Sequence, residues 1–476
     1  MEELQKKAVW SGARVAKATG GEILYGDVRC RFSGISIDSR RVLPGQLFVA
    51  IVGQNHDGHA FIPDALAHGI SGMMIQKDRI SRTLIQGFKE RGFFCIAVSD
   101  TTRALGDLAA FHRRKHGAGV VAITGSNGKT TTRRMAAEII SQKYAALSAI
   151  GNFNNEIGLP LTLLNLTDLH QWAVVELGMN HPGEIRRLSE ICLPDVGVIT
   201  NIAPAHLEGV GSMEGVIQAK GELLGQIKRG GTAILNADDP NVSRLAIKVK
   251  SEVLFFGISK KAAVRAGSIR EKGETVRFTL VLPEGKIPVT LRIPGRFMVS
   301  NALAAAAVGT RLGIAPEAIK IGLENLTSIP GRMNILSLKN GIRIVDDTYN
   351  ANPGSMKAAI ESFSRLKKGA RGICVVGDML ELGKESIPLH RQIGESLAMA
   401  DISRLYVTGA FAESIAEGAR KKRMNPQRIR IGSKGSILQD ITQYVKSGDW
   451  ILVKGSRGMA MESLVQGLLD WNDQKS

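Results

Sequence analysis

The sequence has few cysteines and no long apolar run, and both absences exclude whole classes of protein. Its four cysteines lie far apart without a CxxC pair, at Cys30, Cys95, Cys192 and Cys374. Neither a disulfide framework nor a zinc site is predicted, and we expect reduced thiols in the core. No window approaches the roughly 18 consecutive apolar residues of a membrane span, and the opening segment MEELQKKAVW lacks the apolar core of a signal peptide. A cytoplasmic protein without a membrane span is therefore expected.

Aromatic residues are also scarce, at 5% of the chain, whereas basic residues are in excess. The formal net charge of +18 predicts a surface that attracts phosphorylated metabolites, nucleotides or nucleic acids. The basic runs at 113–115 and 420–423 contain no aromatic residue, so they do not resemble the stacking platforms that bind single-stranded nucleic acids. We expect an anionic small-molecule substrate and no nucleic-acid partner.

The length of 476 residues and the hydrophobic content of 44% predict three α/β domains. We place these domains at 1–115, 116–328 and 329–476. The first contains short strands bounded by Gly, Pro and Asp, which is typical of a small α/β unit. A polar, basic stretch at 105–116 marks its end.

The second and third domains each alternate strands with helix-length segments, which predicts parallel sheets covered by helices. Strands of the second domain read VVAIT, WAVVEL, VGVITN, GTAILN and VLFFG. Residues 264–293 instead follow a period of two and indicate antiparallel hairpins. Strands of the third domain read ICVVG, RLYVTG, RIRIG and WILVKG. We predict a P-loop, ATPase-like parallel sheet in the centre and a Rossmann-like doubly wound sheet at the C-terminus.

A glycine-rich segment between a strand and a helix is the strongest functional signal. It comprises Gly125, Ser126, Asn127, Gly128, Lys129, Thr130 and Thr131. Its glycines allow backbone amides to curl around a phosphate, its lysine reaches terminal phosphates, and its first threonine offers a hydroxyl to Mg²⁺. The strict GxxxxGK[ST] spacing would need glycine where Ile123 stands. The segment predicts a site for ATP or GTP and does not specify the reaction.

Polar residues at the carboxyl ends of other strands point to the same edge of the central sheet. Glu176 ends WAVVE, and a carboxylate beside a triphosphate most simply binds magnesium. His206 follows the next strand and converges on the same edge. Lys220 lies mid-helix, where spacing alone favours a solvated lysine. Residues 345–353 end a strand with two acids and two amides, which favours a loop that contacts the nucleotide.

Several further segments, taken in order with the glycine-rich segment, resemble the Mur ligase family over essentially the whole chain. They read NFNNEIGLPLTLL, ELGMNHPGEI, DDTYNANPGSM, GDMLELGKES and VKGSRGMAMES. Members of this family form amide bonds with ATP in the synthesis of peptidoglycan precursors. These versions are most similar to the branch that adds a D-alanyl-D-alanine dipeptide. The branch that adds the third amino acid would carry a YAHTP-like segment and an Asp-Asn-Pro-Arg motif, and neither is present.

The resemblance implies a reaction and its partners. The carboxylate of UDP-N-acetylmuramoyl-tripeptide would attack the γ-phosphate of ATP, and the amine of D-alanyl-D-alanine would displace phosphate from the acyl phosphate. Two Mg²⁺ ions would neutralise charge that otherwise repels the attacking carboxylate. The last domain would swing in to exclude water. A monomer is expected.

The resemblance also implies roles for individual residues. The catalytic set would be Lys129, His206, Lys220 and Arg332. The metal set would be Thr130, Glu176, His206 and Lys220, the last carbamylated by CO₂. The nucleotide would be held by residues 125–131 with Asn301, Arg332, Asp347, Tyr349 and Asn352. The substrate-binding set would be Ser39, Arg40, Asn154, Asn155, Asn180 and His181, with Ser39 and Arg40 at the diphosphate or uracil. The dipeptide is expected near 350–355 and 377–381, because these residues follow strand ends.

Two other interpretations remain open at this point. Folylpolyglutamate synthases share the phosphate loop and the ATP site, but they should lack an N-terminal segment like DSRRVLPGQLFVA, which this chain has. A P-loop NTPase that remodels nucleic acid would show salt-sensitive binding to DNA or RNA and polymer-stimulated ATPase activity.

Overall fold

The structure, a computed structural model, describes residues 10–53, 55–79, 93–149 and 151–474. Within these ranges the strands form a five-stranded, a nine-stranded and a six-stranded sheet, together with one two-stranded ladder. The expectation about a signal peptide falls largely on residues 1–9, which lie outside the described part. None of the described helices is long and apolar enough to cross a membrane.

The N-terminal part contains the five-stranded sheet, in the order β2-β7-β6-β5-β4, and the ladder β1-β3. Its strands are β1 Trp10–Ser11, β2 Glu22–Tyr25, β3 Arg31–Phe32, β4 Ile35–Ser36, β5 Leu47–Val49, β6 Gly72–Gln76 and β7 Phe94–Val98. Its helices are Gly12–Thr19, Ile62–Ala67 and Thr101–Lys115, with 3₁₀ turns Gly58–Phe61 and Lys77–Arg79. Within the five-stranded sheet β2 runs antiparallel to β7 and the other described neighbours pair in parallel, while the ladder β1-β3 is antiparallel. The predicted small α/β unit is thus observed.

The basic stretch at 105–116 is largely helical rather than a simple polar boundary. Asp100 caps the helix Thr101–Lys115 by accepting the N–H of Arg103 at 2.9 Å. Leu105 and Leu108, on its apolar face, are fully buried in the N-terminal core, while Ala109 belongs to the central core. The stretch is basic on average, but its apolar residues recur at helical spacing and bury one face. The proposed boundary after residue 115 stays a prediction.

The central part contains the nine-stranded sheet, in the order β16-β15-β14-β13-β12-β11-β8-β10-β9. Its strands are β8 Gly119–Thr124, β9 Ala146–Ser148, β10 Trp172–Glu176, β11 Val196–Ile199, β12 Thr232–Asn236, β13 Glu252–Gly257, β14 Val264–Lys272, β15 Thr275–Leu282 and β16 Gly285–Leu291. The neighbours from β9 through β14 pair in parallel, whereas β14, β15 and β16 pair antiparallel. The predicted parallel sheet and its hairpin extension are both observed.

Helices cover this sheet and supply the residues that approach its carboxyl edge. They are Lys129–Ser141, Gly158–Leu163, Glu184–Cys192, Leu207–Val210, Met213–Gly221, Pro240–Leu245, Phe297–Arg311 and Pro316–Glu324, with 3₁₀ turns Glu222–Gln226 and Ala246–Lys248. Val120 to Ile123 in β8 are all fully buried, because helices pack on both faces of a parallel strand. The strand is therefore continuously apolar until it reaches the glycine-rich segment.

The C-terminal part contains the six-stranded sheet, in the order β17-β18-β22-β19-β20-β21. Its strands are β17 Asn334–Ser337, β18 Arg343–Asp347, β19 Gly372–Val376, β20 Arg404–Val407, β21 Ile429–Ile431 and β22 Trp450–Lys454. Its helices are Pro353–Lys367, Ser386–Met399, Ala412–Lys421, Lys434–Tyr444 and Glu462–Gln474, with 3₁₀ turns Lys339–Gly341, Gly383–Glu385, Pro426–Arg428 and Arg457–Met459. Only β17 is antiparallel to its neighbour, as in a doubly wound sheet with one added edge strand.

The three-domain α/β architecture predicted from the sequence is confirmed, whereas the residue boundaries at 115 and 328 remain predictions. All four cysteines are free thiols; Cys30 is partly exposed and the other three are buried. The carboxyl ends of β8, β10 and β11 face the carboxyl ends of β18 and β22 across a cleft. Open α/β sheets bind ligands at such edges, and here two of them meet.

Candidate active site

The cleft has a volume of about 930 Å³ and is lined by all three parts of the chain. The central part contributes the glycine-rich segment and the strand ends near Glu176 and His206. The C-terminal part contributes the residues after β18 and β22, and the N-terminal part contributes Val52, Gly53 and Thr102. The cavity is large enough for a nucleotide and part of a second substrate.

Two glycines of the phosphate loop cannot be replaced without a clash. Gly125 has φ 147°, and a Cβ there would lie 1.9 Å from Thr200 Oγ1. Gly128 has φ 81° and precedes the helix Lys129–Ser141, and a Cβ there would lie 2.1 Å from Asn301 Oδ1. Positive φ and close approach both demand glycine. The backbone amides at this helix N-terminus are thereby left open to an anion.

Side chains from two other elements brace the phosphate loop. The Asn127 N–H donates to Asn201 Oδ1 at 2.9 Å, and the Ser126 hydroxyl donates to the Ala203 carbonyl at 2.8 Å. From the C-terminal part, Asn352 Nδ2 donates to Asn127 Oδ1 at 2.8 Å. The conformation of the loop is therefore fixed by the residues that follow β11, and the loop also forms a hydrogen bond with the C-terminal part.

Lys129 is half-buried at the start of the helix and folds back on its own loop. Its ammonium donates to the Gly125 carbonyl at 2.9 Å. Burial lowers the pKa of Lys129, and the nearby carboxylate of Glu176 opposes that shift. Glu176 compensates the positive charge of Lys129 only in part, and a bound phosphate would complete the compensation.

Glu176 is buried at the end of β10, and both of its carboxylate oxygens accept hydrogen bonds. Thr130 Oγ1 donates to Oε2 at 2.7 Å, and Asn154 Nδ2 donates to Oε1 at 2.8 Å. Arg332, from the C-terminal part, donates through Nη2 to Thr130 Oγ1 at 2.9 Å. A carboxylate and a hydroxyl side by side next to a phosphate loop form the hard oxygen donor set that Mg²⁺ prefers.

Lys220 is 1% exposed in the helix Met213–Gly221, so the interpretation of this residue as a solvated lysine is wrong. No ion pair of its ammonium is found in the described part of the chain. Burial lowers the pKa of Lys220 well below the usual lysine value, and the nearby charge of Lys129 lowers it further. The side chain does not line the cleft itself. A neutral buried amine is the form that reacts with CO₂.

His206 links the central part to the C-terminal part. Its Nδ1 lies 2.5 Å from Glu381 Oε2, and the Glu208 N–H donates to the Glu381 carbonyl at 3.1 Å. His206 adopts φ 56°, which turns its backbone into the short helix Leu207–Val210. The hydrogen bond from His206 holds the pKa of the Glu381 carboxyl below its usual range. The contact thus ties a candidate metal ligand to the facing domain.

Glu381→Gln is expected to weaken this contact between the two parts at pH 7. The free energy of unfolding should fall by less than about 1 kcal/mol, because the Glu381 side chain is half-exposed. Since the pKa of Glu381 is lowered, its contribution is present above the ordinary glutamate pKa and is lost as the pH falls through the lowered value. Urea denaturation at several pH values measures the free energy of unfolding, and small-angle scattering at the same pH values measures how closely the two parts approach. The exposed Glu385→Gln is the control, and equal behaviour of the two variants would contradict the expectation.

The candidate nucleotide residues of the C-terminal part form one group beside the phosphate loop. The Arg332 guanidinium lies 4.2 Å from the centre of the Tyr349 ring. Lys454 Nζ donates to Asp347 Oδ2 at 2.6 Å and is 2% exposed. Asn301, from the central part, is 6% exposed against Gly128. Apart from Gly125, the residues predicted to hold the nucleotide all line the cleft.

Only some of the residues predicted to bind substrate lie together in the cleft. Asn154, Asn155 and Asn180 line the cleft, whereas His181, Ser39 and Arg40 do not. His181 is exposed, and its Nδ1 lies 3.3 Å from Glu184 Oε1. Ser39 is buried, and Arg40 is exposed in an ion pair with Asp38 at 3.0 Å.

Sequence reasoning missed two buried cations of the site, Lys454 and Arg133. Lys454 ends β22 directly beside Asp347 of β18, since these residues are paired in register. Its position at the carboxyl end of an apolar strand was a usable signal. Arg133 lies one helical turn after Lys129 and has no comparable signal in the sequence.

A phosphate loop that faces a second doubly wound domain across a cleft, with a buried carboxylate and hydroxyl beside it, defines a multidomain ATP-dependent ligase. Three family models match the chain in order: the Mur ligase family catalytic domain at 31–113, the Mur ligase middle domain at 123–309, and the Mur ligase glutamate ligase domain at 331–457. Together they span most of its length.

Individual relatives give the same result. UDP-N-acetylmuramoyl-tripeptide--D-alanyl-D-alanine ligase of Escherichia coli (strain K12) is 38% identical over 94% of this chain and 96% of its own length. The crystal structure of MurF from Acinetobacter baumannii has a TM-score of 0.88 at 32% identity and covers 97% of this chain and 99% of its own. MurF ligase from Thermotoga maritima in complex with ADP has a TM-score of 0.80 at 28% identity, covering 93% and 98%. The chain belongs to the Mur ligase family, as its motifs predicted.

Proposed function

We propose that this protein joins D-alanyl-D-alanine to UDP-N-acetylmuramoyl-tripeptide with ATP, through an acyl phosphate, in peptidoglycan precursor synthesis. The observation that carries the proposal is the meeting of Lys129, Thr130 and Glu176 with Arg332 of the facing domain. The relatives that the chain matches at 28–38% identity over more than nine-tenths of its length bear the name of this ligase or of MurF.

The roles of the chain's own residues follow from their positions. The backbone amides at the N-terminus of the helix Lys129–Ser141 and the Lys129 ammonium would bind the β- and γ-phosphates and neutralise charge on the transferred group. Arg332 reaches the same place from the other domain, so its guanidinium would be brought in only when the two parts close. Closure would exclude water from the acyl phosphate and favour attack by the amine.

Magnesium is part of the proposal, and the donor set tests whether it fits. Glu176 and Thr130 offer two oxygens beside the phosphate loop, which is the number of protein ligands typical for Mg²⁺ held together with phosphates. When bound, the ion would neutralise phosphate charge and act as a Lewis acid. In the described residues, no three His, Cys, Asp or Glu side chains cluster as a metal site. A second ion near His206 therefore requires a further anionic ligand.

We further propose that carbamylated Lys220 is that ligand. Its burial, its lowered pKa and the absence of an acidic partner among the described residues support a neutral amine. Such an amine can add CO₂ and release one proton to solvent, which leaves a carbamate. The carbamate would also offset the positive charge of Lys129, which now disfavours a protonated Lys220.

Lys220→Ala is expected to lower kcat by about 10²-fold, because removing one preorganised charged group from a transition state costs that much. Added acetate or bicarbonate should restore part of the activity, and added methylammonium should not. Lys228→Ala, a partly exposed lysine outside the cleft, is the control. Equal rescue by an amine, or none by a carboxylate, would mean that Lys220 acts as a plain cation.

Two coarser proposals accompany the reaction. We expect a cytoplasmic protein, because the substrates are nucleotide-linked precursors and ATP. We also expect a monomer, because residues from all three parts of one chain line the cleft. Size-exclusion chromatography with light scattering tests the second proposal.

The deciding experiment measures phosphate release from ATP and Mg²⁺ with UDP-N-acetylmuramoyl-tripeptide, and the product mass. D-Alanyl-D-alanine, single amino acids, a nucleic-acid polymer and no acceptor are compared. We expect dipeptide-dependent release and the mass of the corresponding pentapeptide. Turnover with a single amino acid alone would place the protein in a sister branch, and stimulation by the polymer would overturn the ligase assignment.

A further inference from the structure

The helix after the phosphate loop carries a buried arginine that the proposed reaction does not use. Arg133 is 3% exposed. Its Nη1 donates to Ser148 Oγ at 2.7 Å and to the Ala149 carbonyl, and its Nη2 donates to the Gly151 carbonyl at 3.1 Å. Both guanidinium arms are therefore occupied by Ser148, Ala149 and Gly151, which precede Asn154 in the chain.

The third nitrogen of this guanidinium has no hydrogen-bond acceptor in the described part of the chain. Arg133 Nε is buried without a hydrogen bond to any described residue, and it lies 3.9 Å from Glu176 Oε2. A buried N–H without an acceptor is costly, and native structures rarely contain one without a reason. The nearest acid is thus about 1 Å beyond hydrogen-bond distance, on the oxygen that Thr130 already occupies.

We infer that Arg133 is a positioning residue for Glu176. Its two arms hold Ser148, Ala149 and Gly151, just before Asn154, against the phosphate-loop helix. Asn154 in turn donates to Glu176 Oε1. When the Thr130 hydroxyl turns towards a bound cation, the Arg133 Nε–H donates to Glu176 Oε2 in its place. The inference rests on the proposed function, since the metal role of Glu176 is part of it.

Lysine cannot take over this task. Arg133 makes three hydrogen bonds in a fixed plane and keeps a fourth donor on the opposite side, whereas a lysine ammonium is a compact charge on a flexible stem. Arg133→Lys retains the charge that balances Glu176 and loses the planar set of guanidinium donors. Arg133→Met loses both. The neighbouring Arg134, which is half-buried on the same helix, provides matched controls as Arg134→Lys and Arg134→Met.

The test measures Mn²⁺ binding to the full chain by electron paramagnetic resonance, with and without ADP. We expect the Mn²⁺ dissociation constant in the presence of ADP to rise about tenfold or more in Arg133→Met and to rise in Arg133→Lys as well, because groups that orient metal ligands have effects of this size. Both Arg134 variants should bind as the unmodified protein does. The Mg²⁺ concentration for half-maximal activity should rise in parallel, with a smaller change in kcat at saturating Mg²⁺.

A purely structural role would give a different result. Lowered thermal stability of both Arg133 variants with unchanged Mn²⁺ affinity would overturn the inference, and so would normal binding in Arg133→Lys alone. If Arg133→Met does not fold, Arg133→Lys decides between the outcomes. Because the binding measurement needs no peptide substrate, it is independent of the ligase assay. Failure of dipeptide-dependent turnover in the unmodified protein would overturn the proposed function and leave this comparison intact.

Discussion

Lys129→Met should abolish nearly all ligase activity while leaving the protein folded. We expect kcat to fall about 10³-fold, because a preorganised cation beside the transferred phosphoryl group contributes on this scale. The free energy of unfolding should be unchanged or higher, since burial lowers the pKa of Lys129 and the folded protein therefore gains little from its charge. Single-turnover phosphate release and urea denaturation measure the two quantities.

The combination of the two results is what identifies the role of Lys129. The exposed Lys250→Met should alter neither quantity, and it controls for a general loss of positive charge. A variant Lys129→Met that is both inactive and strongly destabilised would indicate a structural lysine. A variant that retains a tenth of the activity would show that the loop amides and Arg332 suffice.

The parts of the site that are local in sequence could be predicted from it. The phosphate loop is a contiguous segment whose two essential glycines follow from backbone geometry, and Lys129 and Thr130 follow them directly. Glu176 could be placed because an apolar strand ends there, and parallel strands deliver their ends to one edge. Periodicity likewise predicted the hairpins of β14 to β16, because alternation with period two is a backbone property.

The parts that depend on packing between distant segments could not be derived from spacing. Arg332 contacts Thr130 across 202 residues, and that contact depends on how two domains meet. The position of Lys220 in its helix does not distinguish a buried lysine from one on the solvated face. Only the resemblance to a family indicated its importance. Arg133 gives no sequence signal because two of its three acceptors are backbone carbonyls, which every residue has, and the third is a single serine hydroxyl.

Glu176→Gln should combine a catalytic loss with a loss of stability. Glu176 is surrounded by the cations Lys129 and Arg133 and accepts the hydroxyl of Thr130. Removing its charge leaves those cations buried without compensation, so the free energy of unfolding should fall by about 3 kcal/mol. We expect kcat/KM to fall about 10³-fold at low Mg²⁺, because one carboxylate ligand of the proposed ion is lost.

The dependence on Mg²⁺ separates the two effects of Glu176→Gln. If Glu176 binds the ion, the Mg²⁺ concentration for half-maximal activity should rise at least tenfold, and excess Mg²⁺ should recover part of the activity at a temperature where the variant is folded. Loss of stability alone would reduce activity by the unfolded fraction and leave that concentration unchanged. The exposed Glu190→Gln should match the unmodified protein in both measurements. An unshifted Mg²⁺ dependence would assign Glu176 to charge balance inside the domain and would require another ligand for the ion.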